Sequence, residues 1–327
     1  MTLTPEPATQ RAGRPAGIWL VAATVVLAAL CRPLLEGLLS RPAVANWATV
    51  FVAITLQAVP FLVLGVTASA AIAAYVPPTL LPRLLPSRPE AAVPVAALAG
   101  VVLPGCECGS VPIARRLIER GATPPAALAF LLAAPAINPV VLTATAVAFP
   151  GRPEMVAARF LASLLASMVV GWVWLRAGRV DLLLGRRRPH EHHGTKGEVL
   201  LDAAAHDFLS SCGFLIIGAG AAATLQTLVP RSVLSGLAGF GPGGLLVLGL
   251  LAVLLAICSE ADAFVAASLK QFSPSAQLAF MVVGPMVDLK LIALQAGTFG
   301  RAFAIRFAPL TFVAAIGSAG LVGWWLL

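Results

Sequence analysis

Long apolar runs dominate this chain and set what it can fold into. Residues 17–39, 48–76, 91–106, 124–149, 154–175, 208–229, 243–258, 274–299 and 302–327 each contain at most two charged residues. A hydrocarbon core of roughly 30 Å takes about 20 apolar residues to cross as helix, because a helix rises only 1.5 Å per residue. A soluble amphipathic helix would show a polar stripe at every turn, and a membrane barrel would alternate in ten-residue segments. Neither pattern is present. The expectation is an all-α polytopic membrane protein with about nine transmembrane helices.

Composition agrees where it bears on the solvent. Only 11% of the 327 residues are charged, against roughly 25% in soluble domains. The formal net charge of +8 comes from basic residues that sit in loops rather than in a patch suited to nucleic acid. Arg176, Arg179, Arg186, Arg187, Arg188 and Lys196 load the longest polar stretch. The positive-inside rule therefore places residues 176–206 in the cytoplasm as a basic linker, and counting crossings outward puts Arg115, Arg116, Arg120 and Lys270 on the same side. The run at 17–40 reads as an extra retained helix behind a tail at 1–16, since no small-residue cleavage site followed by a polar chain appears. The expected location is the bacterial inner membrane, multi-pass.

The chain also resembles itself at an offset of about 150 residues. Phe61 to Gly65, then Val76-Pro77, recur as Phe214 to Gly218, then Val229-Pro230. Pro124, Ala126, Leu128, Ala129, Phe130 and Pro135 recur as Pro274, Ala276, Leu278, Ala279, Phe280 and Pro285, which sets Asn138 against Asp288 and Cys108 against Cys258. Arg159-Phe160 is echoed by Arg306-Phe307. Shared Pro and Phe positions are unlike the chance similarity of two Ala/Leu-rich helices. The halves are expected at 45–175 and 207–327, with about four helices each. That even number makes them parallel, and a further crossing or re-entrant segment around 107–121 would invert them.

Interruptions of the apolar runs mark where chemistry is expected. The segment Pro104-Gly105-Cys106-Glu107-Cys108-Gly109-Ser110-Val111-Pro112 carries helix breakers at Pro104, Gly105, Gly109 and Pro112, and irregular backbone at membrane depth is tolerated only where it lines a cavity or lies against protein. Its counterpart, Cys258-Ser259-Glu260-Ala261-Asp262, keeps a thiol and acids but loses those breakers. Pro135 with Asn138-Pro139, and Pro285 with Asp288, interrupt the matched fourth segments roughly 16–21 Å into the bilayer. Paired interruptions point to a transporter's substrate site. Ionisable groups are costly in a membrane and functional by default. Cys106, Glu107, Cys108, Asn138, Cys258, Glu260 and Asp288 are accordingly the expected substrate ligands, with Asp288, Lys290 and Asp262 as coupling groups. Three thiols would suit a soft ligand such as trivalent arsenic or a soft metal ion.

Other features are read as structural. Cys31 and Cys212 are packing residues, His190, His192 and His193 lie in a solvated linker, and His206 is at the interface. The glycine-rich stretches lack the lysine of a phosphate-binding loop, which argues against an ATP-driven pump. No resident metal or other cofactor is expected.

On the run from Pro104 to Pro112, together with Gly121, Pro124 and Ala127 to Pro139, the chain resembles the bacterial predicted-permease family that includes the ArsP-type organoarsenical efflux permeases. The resemblance spans roughly residues 45–327. It implies an inner-membrane permease of two related halves, some of whose relatives export methylated or aromatic trivalent arsenicals. In those exporters a small polar residue tends to stand where this chain has Glu107.

The functional expectation is a secondary-active permease for a small molecule, with efflux of a thiophilic or thiol-containing compound and proton coupling as its finer form. It is not expected to be an enzyme. The partners are then the substrate, the lipid bilayer and protons, and a homo-oligomer is compatible. The rival is a membrane-embedded thiol oxidoreductase using Cys106 and Cys108, which lacks a second redox pair or a haem or quinone signature.

Overall fold

A computed structural model of the chain describes residues 41–77, 80–102, 106–177, 196–228 and 243–327. The expected extra helix with its tail, Pro104, Gly105 and the linker histidines lie outside these residues. Residues 49–327 form one compact unit; the described part of the other, residues 41–48, is the start of the first helix.

The protein is an all-α polytopic membrane protein. Its helices run in the order α1 (Pro42–Tyr75), α2 (Leu81–Leu84), α3 (Pro89–Ala99), α4 (Glu107–Glu119), α5 (Pro124–Ile137), α6 (Pro139–Ala148), α7 (Pro153–Ala177), α8 (Lys196–Leu228), α9 (Gly244–Leu255), α10 (Asp262–Ser268), α11 (Pro274–Val283), α12 (Leu289–Phe299) and α13 (Arg301–Leu326). Among the described residues five stretches are long and apolar enough to cross a membrane: Pro42–Tyr75, Pro124–Ala148, Pro153–Ala177, Leu200–Leu228 and Arg301–Leu326. Among the described residues the shorter apolar helices are Pro89–Ala99, Gly244–Leu255, Pro274–Val283 and Leu289–Phe299.

Of the nine expected runs, 17–39 lies outside the described residues and an interruption splits another. Residues 274–299 do not make one span, because the helix stops at Val283, passes through Gly284, Pro285 and Met286, and restarts after Asp288. Pro285 has no amide hydrogen to continue the first helix. In the first half the same break is sharper. Pro135, expected as a breaker, lies inside α5, which ends at Ile137; Asn138 is extended, and Pro139 opens α6, where a proline's missing amide costs nothing.

Two elements differ from expectation. Gly109 and Pro112 do not break the chain: α4 starts at Glu107, behind the extended Cys106, and runs through both. Burial outweighs propensity here, since Glu107 to Ala114 are all buried and Pro112 removes only one internal hydrogen bond near the helix start. Gly109 serves contact instead. A methyl group on Gly65 of α1 would collide with the Gly109 backbone, so the two helices touch main chain to main chain, as small residues permit in lipid. The second difference is at the linker, whose last residues belong to α8 from Lys196 onward.

The helix order α1, α3–α7 recurs as α8–α13. Packing recurs with it: α3 on α5, α5 on α7 and α4 on α5 are matched by α9 on α11, α11 on α13 and α10 on α11. Two further contacts are reciprocal, α4 with α12 and α10 with α6. Corresponding long helices lie side by side and antiparallel. Ser69 of α1 bonds Asp207 of α8 at 3.1 Å, whereas Phe51 lies beside Gly220. Likewise Trp174 of α7 packs its ring against Phe303 and Phe307 of α13, whereas Leu161 to Met168 share a cleft with Leu321 to Trp325.

Candidate functional site

The breaks bring four helix starts into the protein interior. Asn138 and Asp288 do the same local job in their halves: each is fully buried and caps the helix that follows. The Asn138 Oδ1 accepts from the Val141 amide at 3.0 Å, and the Asp288 Oδ1 accepts from the Leu291 amide at 2.6 Å. Capping satisfies amides that a helix start leaves open. Asn138 spends its other end on the Ala134 carbonyl, at 3.1 Å. It holds a helix junction, and both halves of its amide are engaged in doing so.

Asp288 differs because it has a second oxygen and a lysine two residues on. Being a cap, Asp288 precedes the helix, so the rule that residues two apart face different ways does not bind it. The Lys290 Nζ lies 3.2 Å from Asp288 Oδ2 and 2.7 Å from Glu107 Oε1 of α4. It also donates to the Ala256 carbonyl at 2.8 Å. Ala256 is the one non-glycine residue with positive φ, at 46°, among the described residues. Its left-handed turn ends α9 and frees that carbonyl for the lysine. Glu107 and Asp288 are fully buried and Lys290 is 3% exposed.

The thiols border this cluster. Cys106 immediately precedes α4, and Cys258 lies in the segment between α9 and α10. One donor atom from each of Cys106, Glu107 and Cys258 falls within 4.8 Å of the others. Cys108, two residues after Cys106 in the first turn of α4, is fully buried as well. All are free thiols, as is Cys212, and the three of the cluster are buried. Cys258 of the second half thus lies beside Cys106 and Glu107 of the first.

A second buried charge group lies next to the first. Arg159 of α7 is fully buried and donates to Thr145 Oγ1 of α6 at 2.9 Å, to the Ser259 carbonyl at 3.2 Å and to Asp262 Oδ2 at 2.8 Å. Asp262 opens α10. The Ser259 hydroxyl lies 3.5 Å from Glu107 Oε2, which links the two groups. Glu260 is only half-buried, and among the described residues no hydrogen bond reaches its Oε2.

Sequence reasoning named Glu107, Asp288, Lys290, Asp262 and the three thiols, and the structure brings them together. It missed Arg159, which it used only as a marker of the repeat. A lone arginine six residues into an otherwise apolar span was the available signal, since a charge there needs a buried partner. It also missed Ala256, Ser259 and Thr145, small residues with no sequence signature. Gly218 is a further case: a Cβ there would sit 2.5 Å from the Lys290 Cα, so only glycine lets α8 lie against the start of α12.

A further ion-pair group lies at the far end of α4. Arg116 reaches Asp207 of α8 at 2.8 Å and Glu119 at 2.7 Å, and Arg120 donates to the Ala73 and Val76 carbonyls at the end of α1.

A fold of membrane helices enclosing paired charges and thiols at matched breaks is one that permeases use, and the comparisons with known proteins bear on it directly. The family model ArsP_1, described as a predicted permease, matches residues 43–323. The chain belongs to this permease family. It is 38% identical over 279 residues to the UPF0718 protein YcgR of Bacillus subtilis (strain 168), covering 83% of this chain and 94% of that one. It is 32% identical over 266 residues to a protein of Streptococcus mutans named a putative two-component membrane permease complex subunit, covering 79% and 88%. No solved structure matches. This permease is therefore a multi-pass protein of a bacterial membrane, and its general function is transport.

Proposed function

We propose that this permease is a secondary-active transporter of a small thiophilic molecule, proton-coupled through Asp288 and Lys290, whose cargo binds at Cys106, Glu107 and Cys258. Cys108 borders the site, and efflux is the proposed direction. One observation carries the reading: the cluster is drawn from both halves, at helix starts, and holds charges and thiols that are buried away from water. Burying charges that no packing requirement demands is expensive, so their presence favours use.

The antiparallel placement of α1 on α8 and of α7 on α13 supports an inverted relation between halves 45–175 and 207–327. Inverted halves with a site at their junction are the usual substrate for alternating access. The inversion would set Lys270 on the opposite membrane face from Arg116, so the sequence-based placement of Lys270 inside is given up in this reading. The name of the Streptococcus mutans relative suggests that a second membrane component works with this one.

Inside-out vesicles offered phenylarsine oxide or Cd2+, with and without an imposed proton gradient, test the proposal. Gradient-driven uptake is expected for the wild type and loss of it for Asp288→Asn. That substitution keeps the cap, as Asn138 does in the other half, and removes only the charge. Uptake indifferent to both gradient and substitution overturns the coupling, and no uptake of either probe overturns the thiophilic reading.

A further inference from the structure

Resting on the permease reading above, we infer that the cargo is a soft divalent cation of the zinc or cadmium type, held by Cys106 Sγ, Cys258 Sγ and the Glu107 carboxylate, and that Lys290 is the resident cation that keeps Glu107 until the cargo arrives.

The donor set selects the class. Two sulfurs and one carboxylate oxygen suit borderline divalent ions, whereas a trivalent arsenical takes sulfur donors and would leave the carboxylate with no role. The donors are nearly close enough already. A tetrahedral ion with bonds of about 2.0–2.3 Å spaces its ligands about 3.3–3.8 Å apart, and the three atoms here all lie within 4.8 Å of one another. Three protein ligands leave the fourth position open, which an ion that must enter and leave requires.

Glu107 is not idle in the structure, since the Lys290 ammonium lies 2.7 Å from it. That amine also lies 3.2 Å from Asp288. A cation entering beside Glu107 therefore repels an ammonium that has a second carboxylate at hand, and the lysine keeps a partner in either state. Coordination forms two sulfur–metal bonds and releases the two thiol protons to water. The buried cluster gains two positive charges from the ion and loses two with the protons, so its net charge is unchanged, as burial in a membrane favours.

Cadmium binding to the purified, detergent-solubilised chain tests this, in a background with Cys31→Ser and Cys212→Ser to silence the other thiols. Equilibrium dialysis and the near-ultraviolet thiolate-to-cadmium band should report one ion per chain. Cys258→Ser should weaken binding by about a hundredfold or more, since even outer-sphere changes cost about ten- to a hundredfold. Glu107→Gln should weaken it while leaving the thiolate band. Lys290→Met should tighten it by about tenfold, because the competitor is gone. If that variant does not fold, Glu107→Gln and Cys258→Ser still decide the ligand set.

No band in the parent protein, or a band indifferent to Cys258→Ser, overturns the site. Weaker binding by folded Lys290→Met overturns the role given to the lysine. Vesicles that carry phenylarsine oxide while the protein ignores cadmium overturn this inference and leave the permease reading intact. Cadmium held at these thiols with no flux of either probe does the reverse.

Discussion

The two buried charge groups occupy corresponding contacts of the molecule, α4 with α12 and α10 with α6, and they are built differently. One is centred on a lysine shared between two carboxylates from different helices, with thiols beside it. The other is an arginine whose partners are a carboxylate, a hydroxyl and a carbonyl. An ammonium is a compact, mobile charge that can exchange partners, whereas a guanidinium makes several fixed hydrogen bonds and keeps its charge. The difference suggests that the lysine group is the one that changes during transport and the arginine group is the one that holds α6, α7 and α10 together.

Removing either cation alone breaks the comparison most violently. Lys290→Met leaves Glu107 and Asp288 buried without a cation and should cost about 3–5 kcal/mol, read as a lower unfolding temperature in detergent. Arg159→Met should cost a similar amount by leaving Asp262 buried without its cation. Restoring neutrality with the paired change Asp262→Asn should recover most of it. Equal stability of the single and the paired variant would mean that the arginine is not held by that carboxylate.

A backbone change comes next. Gly218→Ala puts a methyl 2.5 Å from the Lys290 Cα and should cost about 1–3 kcal/mol, as overpacking does. Because it displaces the start of α12, flux per folded molecule should fall further than stability does. Proteoliposome uptake normalised to folded protein checks this.

Exchanging the cations sharpens the contrast. Lys290→Arg should fold nearly as well as wild type yet stop flux, because the guanidinium ties both carboxylates at once. Arg159→Lys loses hydrogen bonds to Thr145 and the Ser259 carbonyl, for about 1–3 kcal/mol, and should keep flux in the molecules that fold. The smallest effect belongs to Ser259→Ala. It removes only the 3.5 Å contact to Glu107 and should cost about 0.5–1 kcal/mol.

How far the sequence could reach is clear from these same residues. Apolar runs are read directly because lipid demands them, and α1, α7 and α13 fell within a few residues of expectation. α4 was foreseen only as an optional segment around 107–121, because it carries a glycine and a proline, and α10 was missed because it is only seven residues long. Their helicity comes from burial, which propensity does not record. Glu107, Asp288 and Lys290 were legible because charges in apolar runs are conspicuous. Their union was not, since it depends on Ala256 turning left-handed and on Gly218 admitting α12. Asn138 was harder to read, because a cap and a ligand use the same side-chain atoms, and here its oxygen and nitrogen bond the Val141 amide and the Ala134 carbonyl.

The most direct test of the account is cadmium flux into proteoliposomes by two neutralised proteins compared side by side, Glu107→Gln/Asp288→Asn/Lys290→Met and Arg159→Met/Asp262→Asn. The account predicts no flux from the first although it unfolds near the wild-type temperature, and flux from the folded fraction of the second although it unfolds earlier. Flux surviving in the first and lost in the second would contradict it.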